Sequence, residues 1–451
     1  MMHPSLRIAG VLACAVSAAL SLSGCGTGVS PMEHTPVTVS VAAANGLVMG
    51  GQQPVAGVTM QLYQAGTAGY GSLATKLGST VQTNSNGNFV LPSYSCTPGS
   101  QVYLVGTGGQ PIAATSTSPA VTNNNLALMV GLGPCGGANL NPSNFINVNE
   151  LTTVASVWAL APFMSGIGNI GSSSTNATGL ANAFAAINQI VTVTTGQLPG
   201  PALPTGATLP ITEINTLADI LEQCINSGGG VQGDGSSCGN LFHLTPNAAG
   251  SVYPTDTITA MMNIAQSPGR NVTALDRLRS ASPVFQPALN VNFPPTDWTI
   301  AITYVGGGLS TPSSIAVDAA GSVWVTNKGN SSVTKLDYTG TAVSTASGFT
   351  AGGISSPSAI AIDTSGNAWV ANGNNTVTQL SATGSSGTAL SSNGLSAPAS
   401  IAIDGSGNAW IANSTGTSPV SAFTGGGAKL TGSPYSGGGS SAPVSIAVTP
   451  K

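Results

Sequence analysis

Pro312-Ser-Ser-Ile-Ala-Val-Asp318-Ala-Ala-Gly321-Ser-Val-Trp324-Val-Thr-Asn327 is the stretch that decides how the chain is built. It returns as Pro357-Ser-Ala-Ile-Ala-Ile-Asp363-Thr-Ser-Gly366-Asn-Ala-Trp369-Val-Ala-Asn372 and as Pro398-Ala-Ser-Ile-Ala-Ile-Asp404-Gly-Ser-Gly407-Asn-Ala-Trp410-Ile-Ala-Asn413. The Asp-to-Asp spacings are 45 and 41, and a fourth copy opens at Pro443-Val-Ser-Ile-Ala-Val448. A repeat of this period signals an array of small units that bury their apolar faces against one another. Within one copy, Ile-Ala-Ile reads as a short buried strand. Asp-x-x-Gly places Asp at the first and Gly at the fourth position of a type I turn, where the carboxylate can accept the turn's own N–H groups. Ala-Trp-Val is the return strand, its Trp set to fill the space between neighbouring sheets. Val333-Thr-Lys-Leu336 and Val377-Thr-Gln-Leu380 supply a third strand, and Gly-rich stretches lead to an outer one.

Four strands per ~40 residues make one blade of a β-propeller. The pattern resembles NHL-repeat propellers and, more loosely, their streptogramin-lyase and gluconolactonase relatives, over residues 291–451. Closed propellers have ~4–8 blades, whereas three full copies are visible here, with a strand expected near Trp298–Tyr304 before them and one after. Those two strands could share a fourth, incomplete blade; otherwise the arc stays open or closes on a second molecule as a homodimer. The resemblance implies that enzymes of the related families use His, Glu and a divalent cation. Residues 291–451 hold no His and no Glu, and their acids are Asp297, Asp318, Asp337, Asp363 and Asp404. A general base or a metal needs convergent ligands, and an Asp repeated once per blade is expected to serve its turn. Asp318, Gly321, Trp324, Asp363, Gly366, Trp369, Asp404, Gly407 and Trp410 are therefore read as structural, with no catalytic residue, no metal and no cofactor expected.

Composition agrees with an uncharged, turn-rich β protein. Lys+Arg number 9 and Asp+Glu 13 among 451 residues, for a net charge of −4. Nine cations cannot track a phosphate backbone, which excludes nucleic acid as a partner. Hydrophobic residues at 41% with so little net charge exclude charge-driven disorder. His34 and His243 are isolated, Glu150 and Glu213 read as first-turn helix acids, and no Gly-x-Ser-x-Gly elbow, phosphate loop or His-Glu-x-x-His occurs.

The N-terminus carries Arg7, then an apolar or small-residue run from Ile8 to Leu22, then Leu22-Ser23-Gly24-Cys25. The run has the length of a signal-peptide apolar region and falls short of the ~20 residues of a membrane span. The small residues before Cys25 resemble a bacterial lipobox, which implies a signal peptide over 1–24, cleavage before Cys25, lipid on that cysteine and a tether over 25–36. Stable anchoring to the membrane follows from two or more acyl chains. This places the chain at the cell envelope, facing periplasm or exterior, where an even set of cysteines is expected to pair. Of the three pairings open to Cys96, Cys135, Cys224 and Cys238, Cys96–Cys135 and Cys224–Cys238 keep each bridge within one expected domain. No Cys-x-x-Cys or nearby His pair favours a metal.

Residues 37–140 read as strands: Val37–Val41, Val58–Leu62 and Val102–Val105, with turns at Asn45-Gly46, Gly50-Gly51 and Asn84–Gly87. Pro54-Val55-Ala56-Gly57-Val58 and Thr83-Asn-Ser-Asn-Gly87-Asn-Phe89 resemble the carboxypeptidase-regulatory-like β-sandwich, whose members serve mostly as spacers or adhesive modules. Residues 145–290 change to helical spacing. Leu151, Val154, Ala155 and Trp158 share a face, as do Leu180, Phe184, Ile187 and Val191, and then Ile214, Leu217, Ala218 and Leu221 after Pro210. Thr255-Asp256 and Asn271 are expected to cap two short helices, and 227–239 to form a loop closed by Cys224–Cys238.

The expected fold is thus mainly β with a helical middle region: an N-terminal β-sandwich, a small α domain or brace over 145–290, and a partial propeller. The expected function is that of a non-catalytic cell-envelope lipoprotein presenting the propeller surface to a protein or glycan. A propeller-family lyase or lactonase with a divalent metal, and a truncated propeller without function of its own, are the alternatives.

Overall fold

The computed structural model describes residues 37–113, 115, 117–140, 145–290, 293–437 and 439–449. Cys25, the signal region and the tether lie outside them. Among the described residues the fold is mainly β with helices confined to the middle of the chain. Four antiparallel strands form the first sheet in the order Thr75–Gln82, Thr59–Gln64, Gln101–Thr107, Ala127–Pro134. The last two are apolar and buried along nearly their whole length, as strands covered on both faces must be. In the second sheet Ala44–Gly50 pairs antiparallel with Asn88–Leu91 and parallel with Ile146–Val148. Asn45-Gly46, expected as a turn, lies inside this strand. Its glycine is needed because a Cβ there would collide with the Phe89 ring and the Ile146 carbonyl. The Asn84–Gly87 turn forms as expected, Asn84 Oδ1 accepting from the Asn86 and Asn88 N–H groups at 2.9 and 3.0 Å.

Six α-helices follow among the described residues: α1 Glu150–Leu160, α2 Ala177–Ile190, α3 Ile211–Ile225, α4 Ser237–Leu244, α5 Thr257–Gln266 and α6 Val272–Asp276. Asn149 caps α1 in a reciprocal bond pair with Thr152, and Asp256 caps α5. Asn271 does not cap α6; it takes a left-handed conformation and its amide reaches the Leu244 carbonyl. Helix α4 begins inside the expected 227–239 loop, so Cys238 sits in a helix. The Cys96–Cys135 and Cys224–Cys238 pairs both stand at bonding distance, with Cα separations of 6.0 and 4.4 Å.

Helix α1 is buried almost all round, which is unusual for a segment carrying Glu150, Thr152, Thr153 and Ser156. Its hydroxyls explain it. Strand Ala127–Pro134 is an edge strand whose outward N–H groups would be orphaned under the helices. The Met129 and Gly131 N–H groups donate to Thr153 Oγ1 and Ser156 Oγ, each at 2.9 Å, and Ala127 donates to Thr257 Oγ1 of α5 at 2.8 Å. Sheet and helices therefore share one core that runs from Val41 to Trp298. The helices of the segment expected over 145–290 as a domain or brace lie as a second layer on the sheet.

Trp298–Tyr304, expected as a strand of an incomplete blade, belongs to this core instead. Trp298 is fully buried, its carbonyl accepts the Trp158 indole N–H at 2.9 Å, and Thr303 forms a bridge with Thr208. Apolar alternation made the segment look like a strand, but a Trp in reach of α1 gains more burial there.

Three blades follow. Blade 1 is Pro312–Val317, Val323–Asn327 and Ser332–Leu336; blade 2 is Ala359–Ile362, Ala368–Ala371, Val377–Leu380 and Gly387–Leu390; blade 3 is Pro398–Ile403, Ala409–Asn413 and Val420–Phe423. All pairings are antiparallel. In blades 1 and 3 the outer position is held by single bridges, Val333 to Phe349 and Val420 to Tyr435 among them. The fourth copy at Pro443–Val448 forms no strand.

Candidate functional site

Each blade is locked by its repeated Asp. In blade 2, Asp363 Oδ1 accepts the Ser365 and Asn367 N–H groups, both at 2.9 Å. Its Oδ2 accepts the Asn367 amide and the Trp369 indole N–H, both at 3.0 Å. Asp404 repeats the set with Ser406, Asn408 and Trp410. Gly321, Gly366 and Gly407 close the turns with φ of 84°, 81° and 80°, a conformation costly for any other residue. Burial opposes ionisation of Asp404, but the Trp410 and Asn408 donors outweigh it and hold the carboxyl at about 2.

Blade 1 reaches the same end differently. Ser322 stands where blades 2 and 3 have Asn, so Asp318 Oδ2 lacks the amide donor. Lys335 supplies the charge instead, its Nζ lying 3.2 Å from Asp318 Oδ2 and 4.4 Å from the Trp324 ring centroid. The same ammonium donates to the Ala382 carbonyl of blade 2 at 2.9 Å, and Gln379 of blade 2 reaches Gly425 of blade 3 at 2.7 Å. Ser313 and Ser358 add a second tie at each junction, their hydroxyls donating to the Pro357 and Pro398 carbonyls at 2.7 and 2.9 Å.

A second set of locks uses the last residue of each repeat. Asn327, Asn372 and Asn413 are fully buried. Each amide donates to a third-strand hydroxyl, Thr334, Thr378 or Ser421, and each carbonyl oxygen accepts the backbone N–H of Ser310, Ser355 or Ser396. Recurrence of Asn in all three copies carried this signal.

Between blades the contact is apolar. Ile360, Ile362, Ala368 and Val370 of blade 2 lie with Trp324 and Val333 of blade 1; Ile401, Ile403, Ala409 and Ile411 of blade 3 lie with Trp369 and Val377 of blade 2. Trp324 and Trp369 are wholly buried. Trp410 is only half-buried, stacked on Tyr435 at 5.5 Å. It borders a cleft of about 840 Å³ with Asp404, Asn408, Val420 and Ile446–Thr449 around it.

A second cavity, about 480 Å³, lies in the sheet-and-helix body and is rimmed by amides: Gln52, Asn147, Asn149, Gln197, Asn215 and Gln286. In the same body Glu150 Oε1 accepts the Gly51 N–H at 2.8 Å while Oε2 has no hydrogen-bond partner among the described residues. Burial, reinforced by Glu222 and Asp219, pushes the Glu150 carboxyl up to about 8. Burial also raises Asp219 to about 6. Among the described residues no three His, Cys, Asp or Glu side chains are grouped to hold a metal, and no helix is long and apolar enough to cross a membrane. His243 stacks on Tyr253 and bonds Gln232.

No protein-family model matches the chain, and no curated protein sequence matches it. Solved structures match in part. A streptogramin B lyase is 20% identical over 28% of this chain and 40% of its own, with a TM-score of 0.23. Selenomethionine-substituted virginiamycin B lyase from Staphylococcus aureus is 20% identical over 26% of this chain and 39% of its own, TM-score 0.23. A catalytically inactive virginiamycin B lyase from the same organism, with quinupristin, is 18% identical over 29% and 45%, TM-score 0.24. The chain spans less than half the length of each of these proteins.

Proposed function

We propose that the protein is a non-catalytic lipoprotein of the cell envelope, anchored through lipid on Cys25, whose propeller blades present an uncharged surface to a protein or glycan partner. One observation carries the reading. Both carboxylate oxygens of Asp318, Asp363 and Asp404 are engaged within their own blade, which leaves no repeated acid free to act as a base or to hold a cation. Recognition then rests on Ser, Thr, Asn and backbone groups of the loops, by hydrogen bonding and shape rather than by charge steering.

The test is an assay of the full chain for ring-opening of quinupristin and of simple lactones, with and without magnesium, calcium or zinc. The expected result is no turnover under any condition; metal-dependent turnover would replace this reading with that of a lyase or lactonase. Labelled palmitate tests the anchor: incorporation is expected in the wild-type chain and not in Cys25→Ser.

A further inference from the structure

The blade-on-blade contact repeats within the chain and so defines what a Trp face receives. Over Trp324 lie two strands of the next blade, Ile360 and Ile362 from its first and Ala368 and Val370 from its second. Over Trp369 lie the equivalent Ile401, Ile403, Ala409 and Ile411. Two matching half-contacts are left without a blade among the described residues. At one end Ile315 and Val317, the counterparts of Ile360 and Ile362, are 64% and 60% exposed. At the other, Trp410 faces the 840 Å³ cleft, whose far wall is Ile446–Thr449.

That far wall has a telling sequence. Ser445-Ile-Ala-Val448 is identical to Ser314-Ile-Ala-Val317, the first strand of blade 1. Both are entered through a proline whose preceding residue is left-handed: Thr311 at φ 45° and Ala442 at φ 51°, as are Ser356 at 43° and Ala397 at 45°. Ser445–Val448 therefore enters as a first strand does, yet it forms no strand pairing among the described residues. A cleft remains where the interior contacts hold Ala368 and Val370, or Ala409 and Ile411.

We propose that the Trp410 face is a docking site for a second copy of this chain, whose blade 1 lays Ile315 and Val317 over Trp410 and Tyr435. Ser445–Val448 is an internal stand-in for that strand and competes with it. The contact is head-to-tail: one copy contributes its Ile315 face, the other its Trp410 face. It continues the interface already repeated twice within each copy. Because it is apolar, charge screening by salt does not weaken it.

Light scattering on the full chain in mild detergent, over a concentration series, tests this with two paired variants. Ile315→Glu with Val317→Glu alters side chains that are already exposed, so its circular dichroism and unfolding midpoint serve as a control that it folds. It is expected to stay at the mass of one chain. Ile446→Glu with Val448→Glu loosens the stand-in and is expected to associate at about tenfold lower concentration than wild type, a difference of about 1.4 kcal/mol. Association that survives the 315/317 changes overturns the proposal, as does a single-chain mass for both wild type and the 446/448 variant.

Discussion

At the residue scale, the repeated Asp does more than its turn requires. The sequence motif made the turn and the Trp legible, since Asp-x-x-Gly and Trp recur at fixed offsets. It could not show that the carboxylate also binds the indole, because that bond depends on how the two strands stack. Replacing Asp363 by Ala removes four accepted bonds and leaves the fully buried Trp369 N–H unmatched. The expected loss is about 3 kcal/mol, measured by urea unfolding; a loss under about 1 kcal/mol would show that the turn stands without its lock. The opposite sign is expected at Ala397, held at φ 45° before Pro398. A left-handed residue ahead of proline is doubly disfavoured. Ala397→Gly should therefore stabilise the protein by about 1 kcal/mol in the same experiment, and a destabilisation would mean that the Ala methyl carries packing the strain argument overlooks.

At the scale of the elements, local patterns located most helices and strands but not what they were packed against. The spacing of Leu151, Val154, Ala155 and Trp158 identified one apolar face of α1 but assigned nothing to its hydroxyl residues. Thr152 closes the cap with Asn149, and Thr153 and Ser156 face the sheet edge. That is a non-local fact, because it depends on strand Ala127–Pro134 ending its sheet under the helix. Thr153→Val keeps the shape and removes the acceptor for the Met129 N–H. The expected cost is about 2 kcal/mol, with faster amide hydrogen exchange at Met129 as the local signature. Unchanged exchange there would contradict the edge-capping role. The same limit explains Asn45-Gly46 and Trp298: one is a turn dipeptide drawn into a strand by close packing, the other a strand-like segment drawn into a helical core. Lys335 was equally hidden, since its role follows from Ser322 standing where the other blades have Asn.

At the scale of the whole molecule, buried acids set the pH response of the body. Glu150 is held up at about 8 against an ordinary 4.5 by burial and by Glu222 and Asp219. Below the ordinary value, folded and unfolded chains both carry the proton, and the stabilisation is complete. As pH rises the unfolded chain releases it first, so stability falls progressively and this contribution is lost by the time pH passes about 8. Asp219, raised to about 6, acts in the same direction lower down the scale. The unfolding temperature should therefore drop between pH 5 and 9, and Glu150→Gln should flatten the upper part of that drop. A variant with the wild-type slope would mean that Glu150 ionises freely in the fold.

The propeller arc was legible in outline from its repeats, and so were its locks in part; its open faces became visible only once burial was known. The repeated carboxylates are proposed to act as internal locks rather than as ligands. Thermal unfolding of the full chain in chelator, followed by millimolar magnesium, calcium or zinc, tests this most directly. One unfolding temperature is expected throughout. A rise of several degrees with one cation, abolished by Asp363→Asn, would contradict it.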